Sequence, residues 1–375
     1  MLRHFSILFI ISCFVHTNTH GQILQVSLEN ETRFHDSVSN QVFFHLDSKV
    51  LFKNNEYFNP LVEGYTLFSN QLDLGIQYQI SPYVQVSAHT LLQKDVAYNT
   101  QLKAYPLLRL TVKKNGYSLI AGSILPHVSH KLLDALYAYE RLITNPYEQG
   151  IQIKIEKKHI WSDTWLLWEQ MQYPQSPLQE KFLVGHSSVL KTQYKKSSLS
   201  IPIQGVVSHR GGQIGTSNLP TISQATVGIG FQFSYQLNRF IKDIYTENYF
   251  LLSKELGSQL TSGKAIFANI GFRSQYGIQS SIGYWQGHDF VASHGAPIFQ
   301  SVASQLGTPF FYTKKREILF WRFLYQHELA KSIFLDIRLE PYYDFGFEKI
   351  EYTYGAYIRY VNDIHLLNVK KTKQY

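Results

Sequence analysis

Apolar and polar residues alternate one by one along most of this chain. The stretch 72–80 reads Leu-Asp-Leu-Gly-Ile-Gln-Tyr-Gln-Ile, and the stretch 227–235 reads Val-Gly-Ile-Gly-Phe-Gln-Phe-Ser-Tyr. Successive side chains of a β-strand point to opposite faces, so each stretch predicts a strand with one apolar and one polar face. No apolar run interrupts this pattern over the length that a membrane-spanning helix needs.

Short turn signals separate the alternating stretches. Ser81-Pro82 lies between the strands predicted at 72–80 and 83–92, and Asn115-Gly116 has the sequence preferred in two-residue hairpins. A long final strand is predicted over 350–360. This succession predicts an antiparallel up-and-down transmembrane β-barrel of about 16 strands, within a range of about 14–18, because bacterial barrels close with an even number of strands.

The first residues have the order of an export signal. Arg3 and His4 precede the apolar stretch 5–15, and small and polar residues follow up to Gly21. We therefore expect a signal peptide over residues 1–21, with cleavage before Gln22, and a single barrel domain over 22–375. Cys13, the one cysteine, lies in a segment that also fits a lipoprotein cleavage site, so lipidation at Cys13 is the alternative.

The composition agrees with a membrane barrel. Aromatic residues make up 15% of the chain and charged residues 17%, and such barrels carry aromatic girdles at both membrane interfaces. The net charge of +8 is not concentrated in a basic helix or patch, so we expect no nucleic-acid partner. A soluble periplasmic β-sandwich would also alternate, but the outward set of Tyr, Phe, Ile and Leu favours the barrel.

Two segments break the alternation. Residues 129–143 are predicted to form a helix, with Leu132, Leu136, Tyr139 and Ile143 on one face. A helix in a loop of a barrel either narrows the lumen or packs as a surface element. We expect the first, with the charges of a constriction helix facing the solute path: Asp134, Glu140 and Arg141.

The second break, residues 287–310, is expected to be a long extracellular loop, because long loops lie on that side of outer-membrane barrels. It carries His288, Asp289 and His294.

The chain resembles Gram-negative outer-membrane β-barrel proteins of the porin-like kind. The sharpest local feature is the stretch 355–360, Gly-Ala-Tyr-Ile-Arg-Tyr, which is similar to the terminal strand signal of these proteins, although 15 residues follow it here. The resemblance implies location in the outer membrane, contact with its lipid and insertion by the outer-membrane assembly machinery. It also implies a role in the passage or recognition of solutes.

No catalytic motif supports an enzyme, and we expect none. Ser208-His209-Arg210 is similar in residue types to the site of outer-membrane phospholipases, but the order and spacing differ. His288, Asp289 and His294 could form a protease-like site or bind Zn²⁺, yet loop histidines are common without a role. We therefore expect no metal and no cofactor, and an outer-membrane hydrolase ranks behind the other functions.

Charged and aromatic residues on the polar faces are the candidate site. Charge facing lipid is costly, whereas charge in a wet lumen selects ions and polar solutes. We expect a porin-like channel for small polar solutes, saccharides among them. The alternatives are charges that pair across a filled interior, and a non-conducting barrel that binds a surface glycan or anchors a secretion or assembly partner. The predicted pore-lining set is Asp73, Gln77, Gln85, His89, Arg109, Asp163, Trp165, Glu169, Arg273, Trp285, Asp336, Arg338, Glu340, Glu351 and Arg359.

Overall fold

Sixteen antiparallel strands form a closed barrel in the computed structural model, which describes residues 28, 34, 37–96, 100–256, 262–303 and 311–369. Each strand pairs with its neighbours in sequence, and β1 pairs with β16 to close the cylinder. The predicted architecture and strand number are confirmed. The strands are β1 Gln41–Asn59, β2 Val62–Ser81, β3 Val84–Asp95, β4 Lys103–Lys114, β5 Tyr117–Ser123, β6 Gln149–Glu156, β7 Ile160–Gln170, β8 Glu180–Tyr194, β9 Ser197–Gly211, β10 Ile222–Gln236, β11 Ile241–Leu256, β12 Gly263–Ser274, β13 Ile278–His288, β14 Lys315–Ala330, β15 Ile333–Asp344 and β16 Lys349–Asn368.

The two ends of the barrel differ in their connections. At one end, where β1 begins and β16 ends, neighbouring strands are joined by short turns. The Asn115-Gly116 turn has positive φ angles of 52° and 76°, which is the conformation that this sequence favours in tight hairpins. The long connections, such as those from β5 to β6 and from β13 to β14, leave the strands at the other end. We assign the short-turn end to the periplasm and the long-loop end to the exterior.

The faces of the strands divide as the alternation predicts. On β15, Ile337 is 41% exposed on the outside, whereas Arg338 beside it is 4% exposed on the inside. The outer surface is a continuous apolar belt of side chains such as Leu108, Phe231 and Ile358. An apolar belt around a closed barrel with a polar interior is the arrangement of an outer-membrane protein.

The predicted helix over 129–143 is wrong in its extent. The chain forms a 3₁₀ turn at His127–His130 and one α-helical turn, α1, at Arg141–Thr144. The apolar residues between them are buried on all sides rather than along one face, since Leu133 and Ala135 are as buried as Leu132 and Leu136. A segment enclosed by barrel wall all round does not need helical periodicity. Within the described residues, no helix is long and apolar enough to cross a bilayer.

The last strand is longer than the sequence indicates. The final strand predicted over 350–360 is part of β16, which continues without a break to Asn368 and pairs with β1. The predicted signal peptide 1–21 and the alternative lipidation site Cys13 lie outside the described residues. Leu28 is described, and it is buried inside the barrel against Leu51 and Tyr139.

Candidate active site at the extracellular rim

The connection between β5 and β6, residues 124–148, folds into the barrel, and we call it the lumen strap. Its Asp134 accepts hydrogen bonds from Arg322 on β14 and Arg338 on β15, at 3.1 and 3.0 Å. The Arg338 guanidinium also lies 4.4 Å from the centre of the Tyr139 ring. The strap therefore reaches across the lumen to the strands on the opposite side.

Glu140 fastens the strap to the first two strands. Its carboxylate accepts hydrogen bonds from Lys53 and Asn55 of β1 and from the Tyr65 hydroxyl of β2. Burial alone would raise the pKa of this carboxyl, but the Lys53 ammonium and the hydrogen bonds outweigh burial and lower the pKa below its ordinary value. The charge on Glu140 is thus held by the wall and does not face an open solute path.

His130, near the start of the lumen strap, attaches the strap to strand β7. The two imidazole nitrogens each lie 2.9 Å from a carboxylate oxygen, one of Asp163 and one of Glu148. Burial disfavours the imidazolium, but the two carboxylates outweigh it and raise the pKa of His130 to about 9. His130 is therefore a buried cation between two anions at neutral pH.

A second loop packs into the extracellular half of the barrel, next to β13 and β14. Residues 289–303, which we call the upper loop, place Phe290 and Phe299 against Trp285 of β13. Phe299 also contacts Phe320 of β14, and Leu136 of the strap joins the same apolar cluster. This half of the barrel thus has a packed core formed by the two loops and the inner wall.

Backbone hydrogen bonds join the two loops and fix the position of His294. The Ala138 N–H donates to the His294 carbonyl, and the Ala296 N–H donates to the Asp134 carbonyl, both at 2.7 Å. The ring of Tyr137 stacks on the ring of His294 at 5.9 Å, with an interplanar angle of 14°. The imidazole is therefore held between strap and upper loop.

Ser293, His294 and Glu169 form a chain of hydrogen bonds at the rim. The Ser293 hydroxyl oxygen lies 2.8 Å from His294 Nδ1, and His294 Nε2 lies 3.0 Å from the Glu169 carboxylate. Arg141 donates to the same carboxylate oxygen at 2.9 Å. Ser293 is exposed, so a hydroxyl, an imidazole and a carboxylate meet where a substrate can reach them.

A groove with a volume of about 560 Å³ borders this chain of hydrogen bonds at Glu169 and Arg141. Trp168 and Met171 also line the groove, whereas Ser293 and His294 are not among its lining residues. Trp168 faces lipid and stacks on Phe182 with ring centroids 5.4 Å apart. The groove therefore extends from Glu169 and Arg141 to an aromatic side chain of the outer belt.

The wall is lowest next to this groove. Strand β5 has 7 residues and β6 has 8, whereas β4 has 12 and β7 has 11. A strand that crosses a membrane needs about 9–11 residues. The hydrogen-bonded wall at β5 and β6 consequently ends lower than at β4 and β7, and Gly122 and Gly150 near its edge line the groove.

The residues predicted to line a pore all occupy inward-facing positions of strands, but they do not form one site. Glu169 belongs to the rim site, Asp163 and Trp165 contact His130, and Arg338 and Glu340 contact each other beneath the strap. Trp285 is part of the apolar core. Their role in a solute path stays a prediction.

The others lie in separate pairs along the wall. Arg359 donates to Asp47, Arg273 donates to Asp243, and Glu351 accepts from the Asn59 amide. Arg109 donates to the Ser123 carbonyl, and Asp73 contacts His89. Gln85 donates to Gln79, while Gln77 and Asp336 are buried on the inner face. Most of these side chains therefore have a protein partner on the inner face, and both the wet pore and the filled interior stay predictions.

The serine and histidine constellations considered from the sequence are not assembled as written. His209 faces outward, where it contacts Phe182 and Ser223, whereas Ser208 and Arg210 occupy inward positions of the same strand. Asp289 accepts a hydrogen bond from Tyr312, and His294 contacts Glu169 rather than Asp289. Ser293 was missed, and its adjacency to His294 in a long loop was the available signal.

The barrel closes with sixteen strands, exposes an apolar belt and carries its long loops at one end, which defines a porin-like outer-membrane β-barrel protein. Solved structures share this fold. OpdL and OprD of Pseudomonas aeruginosa each superpose with a TM-score of 0.50 at 11% identity, over 86% of this chain and 99% or 94% of theirs. OccAB4 of Acinetobacter baumannii has a TM-score of 0.50 at 10% identity, over 88% of this chain and 100% of its own. The predicted resemblance to porin-like barrels and the outer-membrane location are confirmed.

The sequence profile of the lipid A 3'-O-deacylase-type family matches residues 31–369. The chain therefore belongs to that family. A comparison with curated protein sequences finds no match. The expectation that the protein is not an enzyme is wrong, because a family defined by an enzymatic activity covers nearly the whole chain. The absence of a recognisable motif misled the prediction, since the chemistry-bearing residues come from distant parts of the sequence.

Proposed function

We propose that the protein hydrolyses an acyl ester of a lipid A-like glycolipid in the outer leaflet, at the rim site. The observation that carries the proposal is the hydrogen-bonded chain Ser293–His294–Glu169, whose Glu169 lines a groove at the rim together with Trp168. The family match supplies the reaction class. The outer-membrane lipid predicted as a partner becomes, in this proposal, the class of substrate as well.

The hydrogen bonds assign a role to each residue. The Glu169 carboxylate only accepts, so His294 Nε2 carries the proton and Nδ1 keeps its lone pair. His294 Nδ1 takes the proton of Ser293 as the hydroxyl oxygen attacks the ester carbonyl carbon. The sugar oxygen leaves with that proton, and water, activated by the same imidazole, releases the fatty acid from Ser293. Glu169 orients the imidazole and stabilises its protonated form.

The lowered wall and the groove account for substrate access. The acyl chains of a glycolipid remain in the leaflet while its ester groups lie at the level of the headgroups. Trp168, which is exposed on the outer face of β7, lines the groove, and Arg141 provides a cation in the same lining. An anionic glycolipid can thus enter sideways without leaving the membrane.

The test uses the full chain refolded in mixed micelles that contain purified lipid A. Mass spectrometry of the lipid should show the loss of one fatty acid. Ser293→Ala and His294→Ala should lower the rate at least about 10³-fold. Ser217→Ala and His159→Ala, in loops or turns away from the site, serve as matched controls. Full activity of Ser293→Ala would show that Ser293 is not the nucleophile. A parent protein that releases no fatty acid would contradict the proposed function.

Passage of small solutes is the second candidate function. The fold shared with OprD and the charged inner faces favour it, whereas the packed core in the extracellular half opposes free diffusion. Conductance in planar bilayers separates the two functions. A parent that conducts, with a higher conductance after deletion of residues 130–142, would support a channel narrowed by the strap. A selective effect of saccharides on that conductance would support the predicted substrate class.

A further inference from the structure

Three neighbouring strands bring two histidines together in the periplasmic half of the lumen. His45 on β1 pairs across from Gly75 on β2, and Gly75 pairs across from His89 on β3. A Cβ atom at Gly75 would lie 2.4 Å from the His89 ring. Because glycine leaves this space open, the two imidazoles approach with centroids 4.9 Å apart.

Asp73 completes a set of three donors. It lies two residues before Gly75 on the same inward face, and its Oδ1 is 3.1 Å from His89 Nδ1. One ligand atom from each of His45, Asp73 and His89 lies within 4.8 Å of the other two. Two imidazoles and a carboxylate are a donor set that suits Zn²⁺, with a fourth position left for water.

A carboxylate next to His45 orients the imidazole so that one of its nitrogens can bind a metal ion. Asp363 of β16 pairs across from His45, and its Oδ1 lies 2.6 Å from His45 Nδ1. Since a carboxylate accepts, Nδ1 carries the proton and Nε2 keeps its lone pair. Histidine ligands of metals are oriented in this way by carboxylates that do not touch the metal.

His89 is not a fully bonded structural histidine. Its side chain is 8% exposed, and its Nε2 atom is buried with no hydrogen-bond partner among the described residues. Buried polar atoms are usually bonded, so an orphaned nitrogen calls for an explanation. Because Asp73 accepts the proton of Nδ1, Nε2 keeps its lone pair and can bind an ion.

The surroundings leave room for an ion and do not repel it strongly. A cavity of about 40 Å³ is lined by the three residues together with Asp47, Lys49 and others, which is space for an ion and a water molecule. Of the neighbouring cations, Lys49 and Arg359 lie 2.8 and 3.0 Å from Asp47. Arg109, which also lines the cavity, donates to the Ser123 carbonyl. Three carboxylates, those of Asp47, Asp73 and Asp363, line the cavity or contact a residue that does. The positive charges around the cavity are therefore balanced by nearby carboxylates, and a divalent ion would not be strongly repelled.

We propose that His45, Asp73 and His89 bind one Zn²⁺ ion. The ion joins β1, β2 and β3 and, through Asp363, lies next to the seam at which β1 meets β16. This site is remote from the rim residues, and the proposal is independent of the proposed hydrolysis. It replaces the expectation of no metal that was drawn from the sequence.

The test uses the full chain refolded in detergent and freed of metal with a chelator. Titration calorimetry with ZnCl₂ should show one site per chain with a Kd in the micromolar range or below. Co²⁺ in place of Zn²⁺ should give the absorption of a tetrahedral site with nitrogen and oxygen ligands. Parent protein that binds neither metal at micromolar concentrations would overturn the proposal, whatever the variants do.

Variants identify the ligands. His45→Ala and His89→Ala should weaken Zn²⁺ binding at least about 100-fold, and Asp363→Asn should weaken it about 10–100-fold while the stoichiometry stays at one. His209→Ala, on the outer face, is the matched control and should bind as the parent does. Far-ultraviolet circular dichroism verifies that each variant is folded. Unchanged affinity in folded His45→Ala and His89→Ala proteins would place the metal elsewhere and overturn the assignment.

Discussion

The imidazole of His130 stacks on the indole of Trp165, with ring centroids 3.6 Å apart and an interplanar angle of 7°. The indole occupies space above Gly185, where a Cβ atom would lie 2.1 Å from the ring. A protonated imidazole over an indole adds a cation–π attraction to its two ion pairs with Asp163 and Glu148. This contact fixes one end of the lumen strap to β7.

Docking of the strap should weaken at alkaline pH. The pKa of His130 is raised to about 9 in the folded protein, so its stabilising contribution is complete below the ordinary value near 6.5 and is lost as the pH rises through about 9. Hydrogen exchange of strap amides, corrected for intrinsic rates, should show less protection at pH 10 than at pH 7. His130→Gln should reduce protection at pH 7 and flatten this dependence. The same pH dependence in His130→Gln and in the control His209→Gln would contradict the role of His130.

The packed core in the extracellular half should contribute directly to stability. Leu136 is fully buried between strap and wall, and Leu136→Ala should lower the free energy of unfolding by about 2–5 kcal/mol. Leu108→Ala, on the lipid face, should lower it much less because no packed cavity forms. Urea unfolding in lipid vesicles, followed by tryptophan fluorescence, measures both. Equal losses would show that the strap is not packed as described.

Adjacent residues of β15 should be sensitive to substitution for different reasons. Ile337→Arg places a charge in lipid and should cost about 2–4 kcal/mol near the bilayer midplane. Arg338→Gln removes one of the two guanidinium groups that Asp134 and Glu340 share, and only Arg322 remains within 3.5 Å of both carboxylates. We therefore expect a cost of at most about 3–5 kcal/mol. The same unfolding assay applies, with Arg239→Gln in a periplasmic turn as control. A cost for Arg338→Gln as small as that of the control would exclude a tight ion-pair network.

Trp168 should affect capture of the lipid and not its hydrolysis. The indole lines the groove and stacks on Phe182 at the outer face of the barrel, whereas Ser293 and His294 are not among the groove-lining residues. Trp168→Ala should therefore raise KM for lipid A several-fold and leave kcat nearly unchanged. Trp321→Ala, exposed to lipid on β14, is the matched control. A fall in kcat with an unchanged KM would mean that Trp168 positions the reacting groups.

The fold was largely predictable because lipid and a polar interior impose a period of two on every strand. Ile337 and Arg338 face opposite sides for this reason, and the pattern showed it without a structure. The strap was not predictable in detail, since Leu133 and Ala135 are buried by the opposite wall. Which wall residues surround them depends on the barrel diameter and on long-range register, and neither can be read from local spacing.

The rim site could not be predicted from local sequence. His294 and Glu169 are 125 positions apart, and they meet only because the strap and the upper loop bind to each other across the lumen. The alternation identified Glu169 as an inward-facing charge. Its partner His294 was grouped with His288 and Asp289 of the loop 287–310 instead. The same limit applies to His45 and His89. Alternation places both side chains on the inner face, but they meet only because the register of β1, β2 and β3 aligns them on either side of Gly75.

Closure of the barrel through β1 and β16 has a consequence for how the chain is assembled. Asp47 and Arg359 pair across this seam although they are 312 positions apart, whereas every other pair of adjacent strands is consecutive in sequence. The entropic cost of joining such distant segments makes the seam a late event in folding. Until the last strand arrives, β1 and β15 both expose unpaired backbone groups. Truncation within β16 should thus yield open sheets that associate edge to edge.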